Sequence, residues 1–235
     1  TTNGSGKTQV AWAWNAGGST VSNTDGSITS SVRANTDAGF SIVSYTGTGS
    51  SATVGHGLEA TPSLIITKGR DDSGLSWATQ FLGSASNYMQ MQDYSGNNSS
   101  DGSAAWGSDP TSSVFSINTK PTSNNSGTAF IAYVWSEVAG FSKFGTYDGS
   151  GANGNEITLG FRPKMLLIKR TDGNGHYNII DSERGGADSL HPNEPDWSSA
   201  TATWLAFNND GFTLTDESGI SINIDGYSYV YAAWA

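Results

Sequence analysis

The sequence predicts an all-β protein of two tandem β-sandwich repeats, jelly-roll-like in type. Three observations favour this fold: many short strand-like segments, frequent turn dipeptides between them, and a long block of sequence that occurs twice. A chain of 235 residues can bury a sizeable core without disulfides or a structural metal. We therefore expect two small domains, each with its own hydrophobic core.

The composition is polar, glycine-rich and aromatic-rich, with few charges. Charged residues make up 14% of the chain, whereas a typical soluble domain has about 25%. The chain contains 30 Gly, 8 Trp, 9 Tyr and 9 Phe. This balance is typical of an extracellular β protein with many turns and argues against a helical enzyme.

The charge and the apolar pattern exclude several function classes. The 11 Lys and Arg residues face 21 Asp and Glu residues, which gives a net charge of −10. A nucleic-acid binder needs cations to displace counterions, and an anionic membrane would repel this chain. No apolar run approaches the roughly 20 residues of a membrane-spanning helix. The chain also has no Cys, which excludes disulfides and thiolate ligands. We expect no nucleic-acid partner and no membrane insertion.

The duplicated block is about the size of one small β-sandwich, roughly 100 residues. The first copy contains Gly39-Phe40-Ser41, and the second contains Gly140-Phe141-Ser142. The other matching pairs are 62–68 with 163–169, 114–117 with 211–214, and 131–135 with 230–234. The repeats are therefore predicted at 39–138 and 139–235, with the polar segment 16–38 as a linker that holds at most one strand, near 27–32.

The last segment of each repeat, called the closing strand here, occurs a third time at the start of the chain. Val10, Trp12 and Trp14 alternate with Ala11 and Ala13, as a strand requires. Residues 1–15 are thus interpreted as the closing strand of an upstream repeat. Because an unpaired aromatic strand would aggregate, we expect this strand to pair within its own molecule or with a neighbouring chain. A homo-oligomer follows from the second case.

Strands are predicted wherever β-branched and aromatic residues cluster between turn signals. The predicted strands are 40–45, 64–67, 130–135, 165–169, 177–180, 212–214 and 227–234. No stretch of a dozen residues shows a helical period, although a short helical turn is expected near 196–204.

Several strings in the chain match a known type of domain. They are 17–28, 38–47, 53–58, 141–147, 160–163, 168–172 and 229–234. These strings resemble an uncharacterised tandem-repeat β domain of marine tailed phages that infect cyanobacteria and pelagic bacteria. That domain belongs to tail-fibre-like and other virion structural proteins. The resemblance implies an exposed place on the virion, outside the host cell, and it implies no catalytic residue, since none is established for that domain.

Oxygen ligands for a calcium ion are concentrated in two equivalent turns. Asp71 and Asp72 occupy the turn of the first repeat, and Asp172 and Asn174 occupy that of the second. Such ligands suit a hard cation, so calcium is a candidate cofactor and no other is expected. The second turn is not an EF-hand, because Tyr177 stands where that loop requires Gly.

Aromatic residues in the middle of each repeat are candidates for a sugar-binding platform. Exposed Trp and Tyr side chains on polar loops can stack on sugar rings. The candidates are Trp77, Tyr88, Tyr94, Trp106, Trp197 and Trp204. The alternative is that these side chains plug the ends of the sandwiches.

Catalysis is the least favoured reading of the titratable residues. Hydrolysis of a glycosidic bond needs two facing carboxylates, and Asp181 and Glu183 are the nearest such pair. An ion pair between Asp181 and Arg184 across a turn is the favoured interpretation. His56 between two glycines is interpreted as a turn residue and not as a catalytic base.

The sequence thus predicts a non-enzymatic virion structural protein that takes part in attachment to the host surface. Its expected partners are further copies of itself or other virion proteins, joined through β edges, and a host glycan. Two alternatives remain: a glycan-binding adhesin module of a viral or bacterial surface protein, and, less favoured, a polysaccharide-degrading enzyme.

Overall fold

A computed structural model describes residues 10–97, 99–192, 197–199, 203–215 and 220–235. These residues form an all-β protein with two short helices, which confirms the predicted fold class. No helix among them is long and apolar enough to cross a membrane. The elements of the first half are β1 (Val21–Asn23), β2 (Ser30–Asn35), β3 (Phe40–Thr46), β4 (Ala52–Gly55), β5 (Pro62–Gly69), β6 (Ala78–Phe81), β7 (Met89–Gln90), α1 (Ser99–Trp106), β8 (Val114–Ile117), α2 (Pro121–Asn124) and β9 (Ala129–Ser136).

The second half contains strands alone among the described residues. They are β10 (Ser142–Asp148), β11 (Asn155–Thr158), β12 (Met165–Arg170), β13 (Tyr177–Asp181), β14 (Asp188–Leu190), β15 (Trp197–Ser199), β16 (Leu205–Asn208), β17 (Gly211–Leu214) and β18 (Ser228–Trp234). Each strand predicted from the sequence overlaps one of these elements, although the strand near 27–32 matches only the start of β2. The helical turn expected near 196–204 is wrong in part, because residues 197–199 form β15.

In the first half, a seven-stranded antiparallel sheet has the order β1-β2-β3-β9-β5-β6-β7, and β4 pairs with β8 in a second sheet. One core cluster joins the two sheets. Val54 and Phe115 enter it from the small sheet, and Val43 and Val134 enter it from the large sheet. Alternate side chains of each strand therefore face this core, as the period of two along a strand requires.

In the second half, a six-stranded sheet has the order β10-β18-β12-β13-β14-β15, and a three-stranded sheet has the order β11-β17-β16. Ile157 and Phe212 of the small sheet share a core cluster with Leu166 and Tyr231 of the large sheet. The order β3-β9-β5-β6-β7 thus recurs as β10-β18-β12-β13-β14. Whether 39–138 and 139–235 are independent domains stays a prediction.

A third core lies between the two large sheets and joins the halves. Leu64, Ile66 and Trp135 contribute from the first sheet, while Leu167 and Trp234 contribute from the second. Each large sheet is consequently covered on both faces. This explains why its central strands are continuous apolar runs in the sequence.

The segment 16–38 differs from the predicted linker. It contributes β1 and β2 to the edge of the first large sheet, where β2 pairs with β3 along five residues. Side chains of β2 alternate between buried and exposed, and Val32 enters the core. The Ser- and Thr-rich composition predicted a linker because β2 has few apolar residues. Burial of Val32 is nevertheless enough to hold this strand against the core.

The N-terminal closing strand is not paired within the described part of its own molecule, and its pairing with a neighbouring chain stays a prediction. Residues 1–9 lie outside the described residues, and residues 10–15 belong to no sheet in the rest of the chain that the structure describes. The physical reason is the topology of the large sheets. The position of a closing strand, in the centre of each large sheet, is already filled by β9 and β18.

Candidate functional site

Three tryptophans meet where the two large sheets and the N-terminal segment come together. Trp14 lies 5.8 Å from Trp135 and 5.5 Å from Trp234 between ring centroids, and Trp135 lies 6.0 Å from Trp234. All three pairs have edge-to-face geometry, with interplanar angles of 62–76°. Each residue is the tryptophan of one copy of the closing-strand sequence. We call this group the tryptophan cluster.

Residues 10–15, called the strap here, run across the tryptophan cluster in an extended form. Trp12 and Trp14 are partly buried, whereas Ala11 and Ala13 are exposed. No backbone hydrogen bond joins residues 10–14 to another residue that the structure describes. The strap is held by its side chains and, at its end, by the Asn35 side chain, which donates to the Asn15 carbonyl. Its backbone groups are therefore open to a further strand.

The strap is flanked by two apolar grooves. The first has a volume of about 400 Å³ and continues toward the start of β10; its lining includes Trp12, Trp14, Phe141, Met165 and Trp234. The second has a volume of about 340 Å³ and lies on the first large sheet; it is lined by Trp12, Trp14, Phe40, Ile42, Tyr133 and Trp135. Both volumes are within the range of small-ligand sites.

An aromatic pair, with one ring exposed and the other partly buried, continues the second groove. Trp77 is 36% exposed, and its ring is stacked on that of Tyr133 at a centroid distance of 6.4 Å and an angle of 16°. Tyr133 in turn contacts Trp135 of the tryptophan cluster. These rings together form a row of aromatic faces, the arrangement that stacks on the apolar faces of sugar rings.

The six predicted sugar-binding aromatics do not share one surface. Trp77 and Tyr94 are exposed, and Tyr94 lies against His176 with ring centroids 4.5 Å apart. Tyr88, Trp106 and Trp204 are buried in the cores, so their faces cannot meet a ligand and the prediction for them is wrong. The side chain of Trp197 lies outside the described residues.

The two buried aromatics of the first half, Tyr88 and Trp106, pack in its core. Trp106 ends this helix and enters the first core cluster. Tyr88 donates or accepts a hydrogen bond with Thr122, at 3.0 Å, and the Lys120 ammonium lies 5.0 Å from its ring. Burial raises the pKa of the Tyr88 hydroxyl. Burial of both rings, together with the local hydrogen bond of Tyr88, identifies them as packing residues, although the Trp106 Nε1 has no acceptor among the described residues.

The residues predicted to bind calcium hydrogen-bond within their own turns or to the start of a closing strand. Asp72 accepts from the Gly74 N–H, and Asn174 contributes its carbonyl to Arg170. The Asp71 carboxylate accepts from the Ala129 N–H at 3.1 Å. In the parts of the chain that the structure describes, no cluster of three His, Cys, Asp or Glu side chains is placed to hold a metal ion. Calcium binding stays an untested expectation.

Asp71 and Asp172 have equivalent roles in the two halves. Asp172 accepts from the Ser228 N–H at 3.0 Å and from the Arg170 Nε at 3.0 Å. Ala129 and Ser228 are the first residues of the two closing strands, β9 and β18. Each aspartate thus ties a turn to the start of a closing strand, a structural role that explains why both turns contain Asp.

Lys169 is a buried cation that the sequence reading missed. Its Nζ donates to the Gly175 carbonyl at 2.6 Å and to the Tyr94 carbonyl at 3.2 Å, and it lies 5.4 Å from the Tyr177 ring. Desolvation by burial lowers the pKa of Lys169 to about 8. Since Tyr94 belongs to the first half, this ammonium helps to join the two halves. The sequence indicates this role only through Lys68, the equivalent lysine of the first half, whose Nζ donates to two carbonyls in the equivalent turn.

The titratable groups weighed for catalysis have structural partners. The Arg184 Nε lies 2.7 Å from the Asp181 Oδ2, which confirms the predicted ion pair. The same guanidinium lies 5.8 Å from the Trp12 ring of the strap. His56 is buried, its Nδ1 accepts from the Leu58 N–H, and its Nε2 lies 3.2 Å from the Thr111 carbonyl. Burial lowers the pKa of His56, which favours the neutral ring.

Comparison with known families gives one match over the whole length of the chain. The model of the family described as Domain of unknown function (DUF7483) matches residues 1–235. The chain belongs to this family. No curated protein and no solved structure matches the chain. The DUF7483 match therefore assigns a family without assigning an activity.

Proposed function

We propose that this DUF7483 protein is a non-enzymatic structural component of a tailed-phage particle. It lies on the virion surface, as part of a tail fibre or appendage or as a capsid decoration, and contributes to attachment to the host. The proposal is supported by the resemblance of seven strings in the sequence to a domain of phage virion proteins. An all-β architecture with a cysteine-free, polar surface is compatible with that location.

One structural observation carries the assembly part of the proposal. The strap has the sequence of a strand, is fixed on the tryptophan cluster through Trp12 and Trp14, and leaves its backbone without strand partners among the described residues. Exposed strand-like backbone is a template for pairing with another chain. We infer that the strap joins the protein to further copies of itself or to other virion proteins.

Labelling of intact particles tests the proposed location. Antibodies raised against the purified chain are applied to particles of a phage that encodes it, before and after disruption of the particles. We expect labelling of intact particles at a fibre or on the capsid exterior. Labelling that requires disruption, or that follows the packaged DNA, contradicts the proposal.

A glycan-binding adhesin module is the second candidate, favoured by the exposed ring of Trp77 stacked on Tyr133. Binding of an array of bacterial surface glycans is compared between the wild type and Trp77→Ala. Loss of about 1–3 kcal/mol of affinity, the order of one good hydrophobic or stacking contact, supports the candidate. The control is Tyr94→Ala, a second large exposed aromatic, whose ring lies against His176 and not against Tyr133. Equal binding by the wild type and Trp77→Ala would show that Trp77 does not contact the glycan.

A further inference from the structure

The corresponding edges of the two large sheets are covered differently. In the first sheet, β3 lies between β9 and β2. In the second sheet, β10 pairs with β18 alone among the strands that the structure describes, and it forms the edge. The cover strand β2 comes from the segment that precedes the first repeat, whereas only residues 137–141 separate β9 from β10. This connection is too short to form a covering hairpin, so no strand among the described residues covers the outer side of β10.

The pairing of β10 with β18 shows which backbone groups point outward. The Ala235 N–H donates to the Phe141 carbonyl at 2.8 Å, and the Gly149 N–H donates to the Tyr227 carbonyl at 2.8 Å. Because donors alternate along an antiparallel strand, Ser142, Phe144 and Thr146 direct their N–H and C=O groups away from β18.

The start of this edge is blocked and its end is open. The Ser142 N–H donates to the Val138 carbonyl, and the Phe144 N–H donates to the Glu137 carboxylate at 3.4 Å. Thr146 is exposed, and its backbone N–H has no hydrogen-bond partner among the residues that the structure describes. The unpaired part of the edge therefore lies at Thr146, since the Asp148 carbonyl beyond it already accepts from the Asn155 side chain at 2.9 Å.

The strap has the sequence of a strand that pairs with this type of strand, although the open side of β10 is equivalent to the side of β3 that β2 covers. Both other copies of its sequence, β9 and β18, lie beside a strand of the β3 and β10 type, with Trp135 opposite Phe40 and Trp234 opposite Ser142. Ala11 and Ala13 are small and exposed, which allows another backbone to approach closely.

We propose that the strap of one chain adds as a strand to the open edge of β10 in a second copy of the protein. The inference rests on the proposed assembly function and names its partner surfaces. Strap and edge are different surfaces, so the contact is heterologous. Repeated heterologous contacts build an open filament, or a ring if the rotation closes. Residues 10–14 and the β10 edge would each lose their unpaired backbone groups in this assembly.

Thiol cross-linking tests the contact, because the chain has no Cys of its own. The double variant Ala13→Cys/Thr146→Cys is treated with a short bis-maleimide, which alkylates one thiol at each end and tolerates a shift of register. Controls are the two single variants and Ala13→Cys/Glu156→Cys, which places the second thiol on β11, the edge strand of a small sheet. We expect a ladder of covalent oligomers from the first double variant and monomers from all controls.

Each other outcome overturns the inference in a distinguishable way. Dimers from Thr146→Cys alone indicate pairing between two β10 edges, and dimers from Ala13→Cys alone indicate pairing between two straps. Oligomers by mass photometry without a cross-linked ladder leave the assembly function standing and reject this contact. If all variants and the wild type stay monomeric at the protein concentrations of a virion assembly reaction, both the assembly function and the contact between strap and β10 are rejected.

Proline substitution gives a second measurement that does not depend on thiols. Thr146→Pro removes one outward N–H from β10 and leaves the pairing with β18 intact. Glu156→Pro is the matched control, since Glu156 is an exposed residue of the edge strand β11. We expect at least a tenfold loss of oligomer for Thr146→Pro and none for Glu156→Pro, with circular dichroism showing that both variants are folded. Equal oligomer formation by the two variants contradicts the inference.

Discussion

Trp135 and Trp234 occupy equivalent positions on the two closing strands, and their rings meet at a centroid distance of 6.0 Å and an angle of 62°. Equivalent faces of the two large sheets therefore pack against each other. The two halves are arranged back to back around a shared core, and the strap adds its own tryptophan to the same contact.

Removal of Trp234 should destabilise both halves together. Trp234→Ala deletes contacts with Trp14, Trp135 and Phe144, and a buried Trp→Ala change costs about 3–5 kcal/mol. Urea denaturation followed by fluorescence measures the change in the free energy of unfolding. Trp234→Phe is the control and should cost less, because it keeps a ring and removes an indole N–H that has no acceptor among the described residues. An equal loss in both variants would show that ring packing does not matter here.

Trp14→Ala should cost less than Trp234→Ala, since Trp14 is only partly buried. We expect a loss of about 1–2 kcal/mol from the apolar area that it covers. Limited proteolysis should then cut the strap faster while the remaining sheets stay resistant. A variant that unfolds as a whole at the same denaturant concentration as Trp234→Ala is inconsistent with a peripheral strap.

A matched pair of tyrosines tests the equivalence of the two halves. The Tyr45 hydroxyl donates to the Ser123 carbonyl at 2.7 Å, and the Tyr147 hydroxyl donates to the Ile222 carbonyl at 2.6 Å. Both rings are buried, and Tyr45 stacks on Phe130 as Tyr147 stacks on Tyr229. Tyr45→Phe and Tyr147→Phe should each cost about 1–2 kcal/mol in a thermal melt. A large loss of stability for one variant and none for the other would contradict the equivalence of these two tyrosines.

Buried Lys169 predicts a pH dependence of stability. Its pKa is about 8 in the folded protein and 10.5 in the unfolded chain, so the unfolded chain binds more protons between these values. The contribution of Lys169 to the free energy of unfolding is therefore lowest at pH values below 8. It rises by roughly 2 kcal/mol from pH 7 to pH 10. Ionisation of tyrosines in the unfolded chain opposes the rise above about pH 10, because burial raises the pKa of Tyr177 in the fold.

The variant Lys169→Met isolates this contribution, because it keeps most of the side-chain volume and loses the charge. Urea denaturation at a series of pH values should show a flatter profile for Lys169→Met than for the wild type. Lys68→Met is the control in the equivalent turn of the first half, where the side chain is only partly buried. Identical profiles for Lys169→Met and the wild type would be incompatible with titration of this ammonium.

Calcium should leave the stability unchanged. The Asp172 carboxylate already accepts from Arg170 and Ser228, and the Asp71 carboxylate accepts from Ala129. Millimolar CaCl2 and EDTA should give the same Tm by scanning calorimetry, whereas Asp172→Asn should lower it by weakening a charge-assisted bond worth about 1–3 kcal/mol. A calcium-dependent rise in Tm that Asp172→Asn abolishes would establish a metal site in this turn.

Much of the fold is predictable because the apolar pattern is strong where both faces of a strand are buried. Composition alone predicts the apolar runs of β5 and β12 and the closing strands β9 and β18. The ion pair of Asp181 and Arg184 is predictable because the two residues are three positions apart across a turn. These features depend on residues that are close in the sequence.

The remainder depends on contacts between distant segments. Nothing local in the sequence distinguishes Trp77, which is exposed, from Trp106, which α1 carries into the core. That helix has Gly and Ser in place of an amphipathic period, so its sequence does not predict it. The strap and Lys169 likewise acquire their surroundings from the opposite half of the chain.

Scanning calorimetry of the complete chain tests most directly whether the two halves and the strap form one unit through a shared core. The account predicts a single transition with equal calorimetric and van't Hoff enthalpies, shifted as a whole by Trp234→Ala. Two separate transitions, with one half melting at its usual temperature in Trp234→Ala, would contradict it.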